Sequence, residues 1–225
     1  MTRIKICGIK DVETVRLALE YGVNFIGLVF ASSRRQISLL MAQKITAAVH
    51  VLQPEVPVAG VFVNLPAGEV NDVARQCSLD YVQLSGDESW KYCLDVEKPV
   101  IKVIHVPETK TAGEIMAEIK TGKAVLGRKP FFCLLDTGSS AAYGGTGKSF
   151  NWETVQQITP IYPVMVAGGL NHQNVGQLIR KGNPWGVDVS SGVEINGVKN
   201  PGLMKEFITS VRKFEQRGNK NETSQ

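Results

Sequence analysis

Short runs of β-branched and aromatic residues recur along this chain. Between them lie longer stretches whose apolar positions return every three or four residues. The runs predict strands at residues 3–9, 25–30, 56–63, 81–86, 99–106, 131–137, 163–169 and 186–191. The stretches predict helices at 12–21, 38–52, 67–76, 88–94, 111–121, 152–158, 173–180 and 201–214. Val12, Val15, Leu17 and Leu19, with Arg16 and Glu20 among them, show the helical pattern in its first instance. Phe25-Ile-Gly-Leu-Val-Phe30 is apolar throughout, as parallel strands are when helices cover the sheet. Strand and helix alternate eight times, which predicts an α/β fold: a (β/α)8 TIM barrel, with a doubly wound open sheet as its rival. No linker divides the chain, so residues 1–214 read as a single catalytic domain. Residues 215–225 read as a polar tail that frays.

Composition narrows the picture. The 225 residues are 43% apolar, enough for one sizeable core. Twenty-five Lys and Arg against 21 Asp and Glu give a net charge of +4, and the excess is scattered. Such a balance points away from nucleic acid and membrane surfaces and toward small anionic molecules. No stretch reaches the ~20 apolar residues of a spanning helix. The start, Met1-Thr2-Arg3-Ile4-Lys5, lacks the apolar segment of a secretory signal, so a cytoplasmic location is expected. The cysteines Cys7, Cys77, Cys93 and Cys133 show no metal-ligand spacing and read as reduced thiols. No cofactor or metal is implied.

In barrels of this kind chemistry sits where strands end. Those ends here are rich in polar and small residues. Gly168-Gly169 after the seventh strand and Ser190-Ser191-Gly192 after the eighth predict a phosphate site: small residues let backbone N–H groups approach, hydroxyls add donors, and a short helix would add its positive end. Cys7 and Lys5 share one strand face, about 6.5 Å apart, and an ammonium so placed would lower the thiol pKa. Asp136 ends the apolar run Phe131-Phe-Cys-Leu-Leu135, where a desolvated carboxyl could hold its proton. A thiol and a carboxyl at distant strand ends form a candidate proton-transfer pair. Residues 139–149, rich in Gly and Ser, read as a loop that folds over a bound substrate. Within them, Gly144-Gly-Thr-Gly147-Lys148-Ser149 imitates a nucleotide phosphate loop. Position 142 is alanine where the first glycine belongs, and the strand ends ten residues too early. His50, His105 and His172 are isolated and receive no role.

Taken together, these segments resemble the phosphoribosylanthranilate isomerase family. The resemblance runs from Lys5 to about Lys199 through Lys5-Ile-Cys7-Gly8, Gly60-Val-Phe-Val-Asn64, Val82-Gln-Leu, Leu135-Asp136, Gly144-Gly-Thr-Gly-Lys148 with Trp152, Ala167-Gly-Gly-Leu170 with Asn174-Val175, and Gly186-Val-Asp-Val-Ser-Ser-Gly-Val-Glu194. It implies a cofactor-free Amadori rearrangement in tryptophan biosynthesis, acting on a phosphorylated small molecule in a monomer or homodimer. It also implies Cys7 as general base, Asp136 as general acid and Arg35 as the holder of the substrate carboxylate. Asp188 would orient the substrate, and Gly168, Gly169, Ser190, Ser191 and Gly192 would hold its phosphate. The histidine-pathway isomerase, which uses two aspartates, fits Cys7 less well. Two positions depart from the family pattern: Arg34 stands where proline is usual, and Ser85 where histidine is usual.

Overall fold

The computed structural model describes residues 1–136 and 152–222. The expected substrate-covering loop at 139–149, with its imitation phosphate loop, and the end of the tail lie outside the described residues. The elements run β1 Arg3–Cys7, α1 Val12–Glu20, β2 Phe25–Val29, α2 Leu39–Leu52, β3 Val58–Phe62, α3 Ala67–Gln76, β4 Tyr81–Leu84 and α4 Tyr92–Asp95. They continue β5 Val100–His105, α5 Ala112–Leu126, β6 Phe131–Asp136, α6 Trp152–Ile158, β7 Val164–Ala167, α7 Val175–Gly182 and β8 Gly186–Val189. A 3₁₀ turn at Ser191–Val193, a hairpin of β9 Glu194–Ile195 and β10 Val198–Lys199, and α8 Pro201–Glu222 complete the order. Strands β1 to β8 are hydrogen-bonded in sequence order, and β8 pairs in parallel with β1, closing a barrel. The open-sheet rival is thereby excluded. Every residue of β2, β3, β7 and β8 is buried, which explains the unbroken apolar character of the first three and makes Asp188 on β8 the exception.

Three helices depart from the periodicity, each for a local reason. Helix α4 is a single turn because the Glu88 carboxylate, assigned to the helix by pattern, instead accepts from the Asn64 and Gly86 N–H groups. Helix α5 runs past residue 121, the end of its apolar pattern, and through Gly122. A Cβ there would meet the Trp90 ring at 2.6 Å, so the glycine serves packing, and the helix ends at Gly127 with φ 57°. Helix α8 continues beyond Phe214. Arg212 donates to the Thr2 carbonyl at 2.8 Å, and the Glu215 carboxylate accepts from the Thr2 N–H, so the start of the expected tail is tied to β1.

The barrel interior is layered by alternate strands. Phe25 on β2, Tyr81 on β4, Phe132 on β6 and Trp185 just before β8 form the floor, with ring centroids 4.8–6.0 Å apart. Most of these pairs are edge-to-face, the arrangement the ring quadrupoles favour. Ala59, Ile101 and Met165 pack on this floor, while Cys7, Val29 and Val61 form a separate small cluster. Two residues above Phe25 on β2, strand alternation returns to the interior at Gly27. A Cβ there would lie 2.9 Å from the Cys7 Sγ, so the missing side chain is the space the thiol occupies. That vacancy positions the site.

Candidate active site

Lys5 is completely buried, and its Nζ lies 3.0 Å from Asp188 Oδ2 across the junction of β1 and β8. Burial works against the ammonium, yet Asp188 and Cys7 beside it outweigh that and hold its pKa up. Burial raises the Asp188 carboxyl, Lys5 pulls it back, and the charge of Asp136 adds to the rise. Asp188 Oδ1 is buried with no hydrogen-bond partner among the described residues. A carboxylate oxygen left unsatisfied at a barrel mouth is a costly arrangement, and it suits an acceptor awaiting a ligand hydroxyl.

Cys7 stands at the C-terminal end of β1. The sequence predicts a lowered thiol pKa from Lys5; the structure reverses the direction. Burial pushes the Cys7 thiol up, Lys5 pulls it down, and Asp188 adds to the rise. The reason is first of all burial, which strand spacing does not show, and then Asp188, the carboxylate 183 residues away that pairs with Lys5. The Cys7 carbonyl accepts from Ser190 Oγ at 3.0 Å.

The next residue leads to a charged cluster. Gly8 has φ 81°, and a Cβ on it would meet Arg35 Cδ at 2.7 Å, so the arginine stem lies against the backbone beside Cys7. Arg35 Nε and Nη2 donate to the two oxygens of Glu194 at 2.7 and 2.9 Å. Exposed Arg34 reaches Glu194 Oε2 at 3.1 Å, and buried Lys199 reaches Oε1 at 2.6 Å. Lys199 Nζ also donates to the Ser190 carbonyl and hydroxyl, at 3.0 and 3.2 Å. Burial lowers the Lys199 pKa, with Glu194 opposing. For Glu194 burial is outweighed: Arg35 and Lys199 hold its carboxyl below the usual value. Neither Glu194 nor Lys199 was assigned a role by sequence. The signal was present, because Ile195-Asn196-Gly197-Val198 is an Asn-Gly hairpin. Both turn residues have positive φ, at 52° and 81°, and the register sets Lys199 opposite Glu194.

The loops after β7 and β8 meet. Gly168 and Gly169 have φ 98° and 63°, and the Gly169 carbonyl accepts from Asn174 Nδ2 at 2.9 Å. A Cβ on Gly192 would fall 1.8 Å from the Leu170 carbonyl oxygen, so only glycine lets these loops touch. Ser191 is exposed at the mouth. Two details differ from expectation. Ser190 directs its hydroxyl to the Cys7 carbonyl rather than outward. The short helix expected after β8 is a three-residue 3₁₀ turn, too short to supply a macrodipole.

Asp136 closes β6 on the opposite side of the mouth, half-buried, in register with Ala167 on β7 and His105 on β5. Ser85 accepts from Gln83 Nε2 at 3.1 Å, and its carbonyl lies 3.0 Å from His105 Nε2. His50 pairs with Asp80 and His172 with Glu206. All four cysteines are buried and free, and burial drives Cys133 to about 12, an inert thiol. Among the described residues no group of three His, Cys, Asp or Glu could hold a metal, and no helix is long and apolar enough to cross a membrane.

A closed (β/α)8 barrel with a thiol, two carboxyls and a cation cluster gathered at the C-terminal ends of its strands is the architecture of a barrel enzyme for small anionic substrates. The family model for N-(5′-phosphoribosyl)anthranilate (PRA) isomerase matches residues 4–210. An N-(5′-phosphoribosyl)anthranilate isomerase of Dehalococcoides mccartyi is 47% identical over 212 residues, covering 94% of this chain and 96% of the relative. The crystal structure of phosphoribosyl anthranilate isomerase from Thermotoga maritima superposes with a TM-score of 0.82 at 34% identity, over 95% of this chain and all of that one. A crystal structure of a phosphoribosyl anthranilate isomerase in complex with reduced 1-(o-carboxyphenylamino)-1-deoxyribulose 5-phosphate gives a TM-score of 0.79 at 32% identity over the same shares. The chain belongs to the N-(5′-phosphoribosyl)anthranilate isomerase family.

Proposed function

We propose that this barrel converts N-(5-phosphoribosyl)anthranilate to 1-(2-carboxyphenylamino)-1-deoxyribulose 5-phosphate by acid–base catalysis between Cys7 and Asp136, serving tryptophan biosynthesis. Asp136 gives its proton to the furanose ring oxygen as the C1–O bond breaks, and the nitrogen lone pair closes a C1=N Schiff base. That iminium makes the C2 hydrogen acidic. The Cys7 thiolate removes it, the electron pair runs through C1 to nitrogen, and the resulting enolamine tautomerises to the ketone. No oxidant or reductant is needed, because C1 is reduced as C2 is oxidised. Asp188 Oδ1 accepts a sugar hydroxyl, Arg35 takes the carboxylate, and the Gly168-Gly169 and Ser190-Ser191-Gly192 loops take the phosphate. The observation that carries this reading is Cys7 in the Gly27 vacancy, beside a buried carboxylate oxygen with no partner among the described residues. Loss of phosphoribosylanthranilate fluorescence on adding purified protein tests it, and an unchanged signal refutes it.

Arg35 is 17% exposed and engaged through two donors, whereas Arg34 is 58% exposed with one. Arg35→Ala should therefore raise KM by about tenfold or more, the scale of one charge-assisted hydrogen bond, and Arg34→Ala by much less. Steady-state kinetics giving the reverse order would move the carboxylate to Arg34. The pH dependence is set by Cys7. Its pKa is raised and the thiolate is the active form, so kcat/KM of the free enzyme should climb with pH along a limb centred above the ordinary thiol value of about 8.5. A limb centred below neutrality would mean a preformed thiolate and contradict the burial argument.

A further inference from the structure

One carboxylate at the barrel mouth is surrounded by three cations. Glu194 has only 3% of its side chain exposed, and Arg35, Arg34 and Lys199 all lie within 3.1 Å of its oxygens. Its grip on Arg35 has the geometry of a two-point fork: Nε to Oε1 at 2.7 Å and Nη2 to Oε2 at 2.9 Å. A guanidinium is rigid and planar, so fixing one edge at two points fixes the plane and tilt of the whole group. On its other side the arginine stem is confined by Gly8, the residue after Cys7. The Asn196-Gly197 hairpin sets the carboxylate, because its register leaves Glu194 facing Lys199. One negative charge among three positive ones also leaves the cluster cationic, which suits an anionic substrate group.

We propose that Glu194 is a positioning residue that presets the Arg35 guanidinium for the aromatic carboxylate of the substrate. The proposal rests on the reading of Arg35 given above. Glu194 touches no reacting atom; it lowers the cost of binding by holding a long, flexible side chain in its binding geometry beforehand. Its effect belongs to the carboxylate end of the ligand, separate from the phosphate end held by the loops after β7 and β8.

That separation gives the test. Glu194→Gln keeps the shape but replaces one accepting oxygen with a donor facing the cations. We expect KM to rise about tenfold with the loss falling on KM rather than kcat. Affinity for the reduced product should fall in parallel, while inhibition by ribose 5-phosphate, which lacks the aromatic carboxylate, stays within twofold. Combined with Arg35→Ala, the second substitution should add little, since both remove one interaction. A merely structural role for Glu194, acting through Lys199 and Ser190, would weaken ribose 5-phosphate as well, and that result overturns the proposal. So does full additivity, or an unchanged KM in Glu194→Gln while Arg35→Ala is impaired. Arg35→Lys provides an arm that leaves Glu194 intact: an ammonium cannot be held in a plane, so its KM should approach that of Arg35→Ala, and wild-type KM overturns the proposal. If Arg35→Ala itself binds normally, the Arg35 reading fails first, and that failure is recognisable from this single variant.

Discussion

Replacing Cys7 by serine should lower turnover by about 10²–10⁴-fold, the range a positioned proton-transfer group contributes. The expected protein folds normally and binds the reduced product as before. The hydroxyl fits the space left by Gly27, being smaller than the thiol whose Sγ fills it. What changes is basicity in the wrong sense, because an alcohol at neutral pH supplies no useful fraction of anion and the C2 proton has no acceptor. Circular dichroism and product affinity serve as controls for the rate measurement. Near-normal turnover would remove Cys7 from the mechanism, and an unfolded variant would make it a core thiol only.

The second large effect is expected at the far side of the mouth. Asp136→Asn keeps the outline of the side chain at the end of β6 and takes away its transferable proton, so ring opening loses its acid. Turnover should again drop about 10²–10⁴-fold, with KM changed little. Supplying a substrate whose ring is already open separates this role from others, because that substrate should recover much of the lost rate in Asp136→Asn and none in Cys7→Ser. Equal impairment with both substrates would show that Asp136 does not act at ring opening.

The barrel was legible because its strands are buried on both faces and its helices on one, two burial patterns that leave different periods in the sequence. Asp136 stood out for a related reason, as a carboxyl ending a run of Phe, Cys and Leu; Cys7 was singled out by the lysine on its strand face, and Asp188 by the family resemblance. Pairing between distant positions could not be read. Lys5 and Cys7 share a strand face, yet the thiol moves up rather than down, because burial and Asp188 outweigh the lysine. Arg35 was assigned to the substrate, but its partner Glu194 arrives through a hairpin of two-residue strands, too short for alternation to reveal. Gly27 inside a strand looked like any other small residue. Only the three-dimensional neighbour, Cys7 Sγ, shows what its absent side chain is for.

The Lys5–Asp188 pair and the Ser190–Cys7 bond both cross the seam where the last strand meets the first, and Thr2 is held by Arg212 and Glu215 of the final helix. The first and last strands of the barrel thus build the candidate site together. A nascent barrel carries its thiol as soon as β1 is made but acquires the counter-charge and the neighbouring hydroxyl only with β8. Partial barrels, whether paused on a ribosome or produced by proteolysis, hold an unassembled centre even when most of their strands are paired. On the proposed roles of Cys7 and Asp188, catalytic competence coincides with ring closure, and intermediates short of closure should be chemically silent.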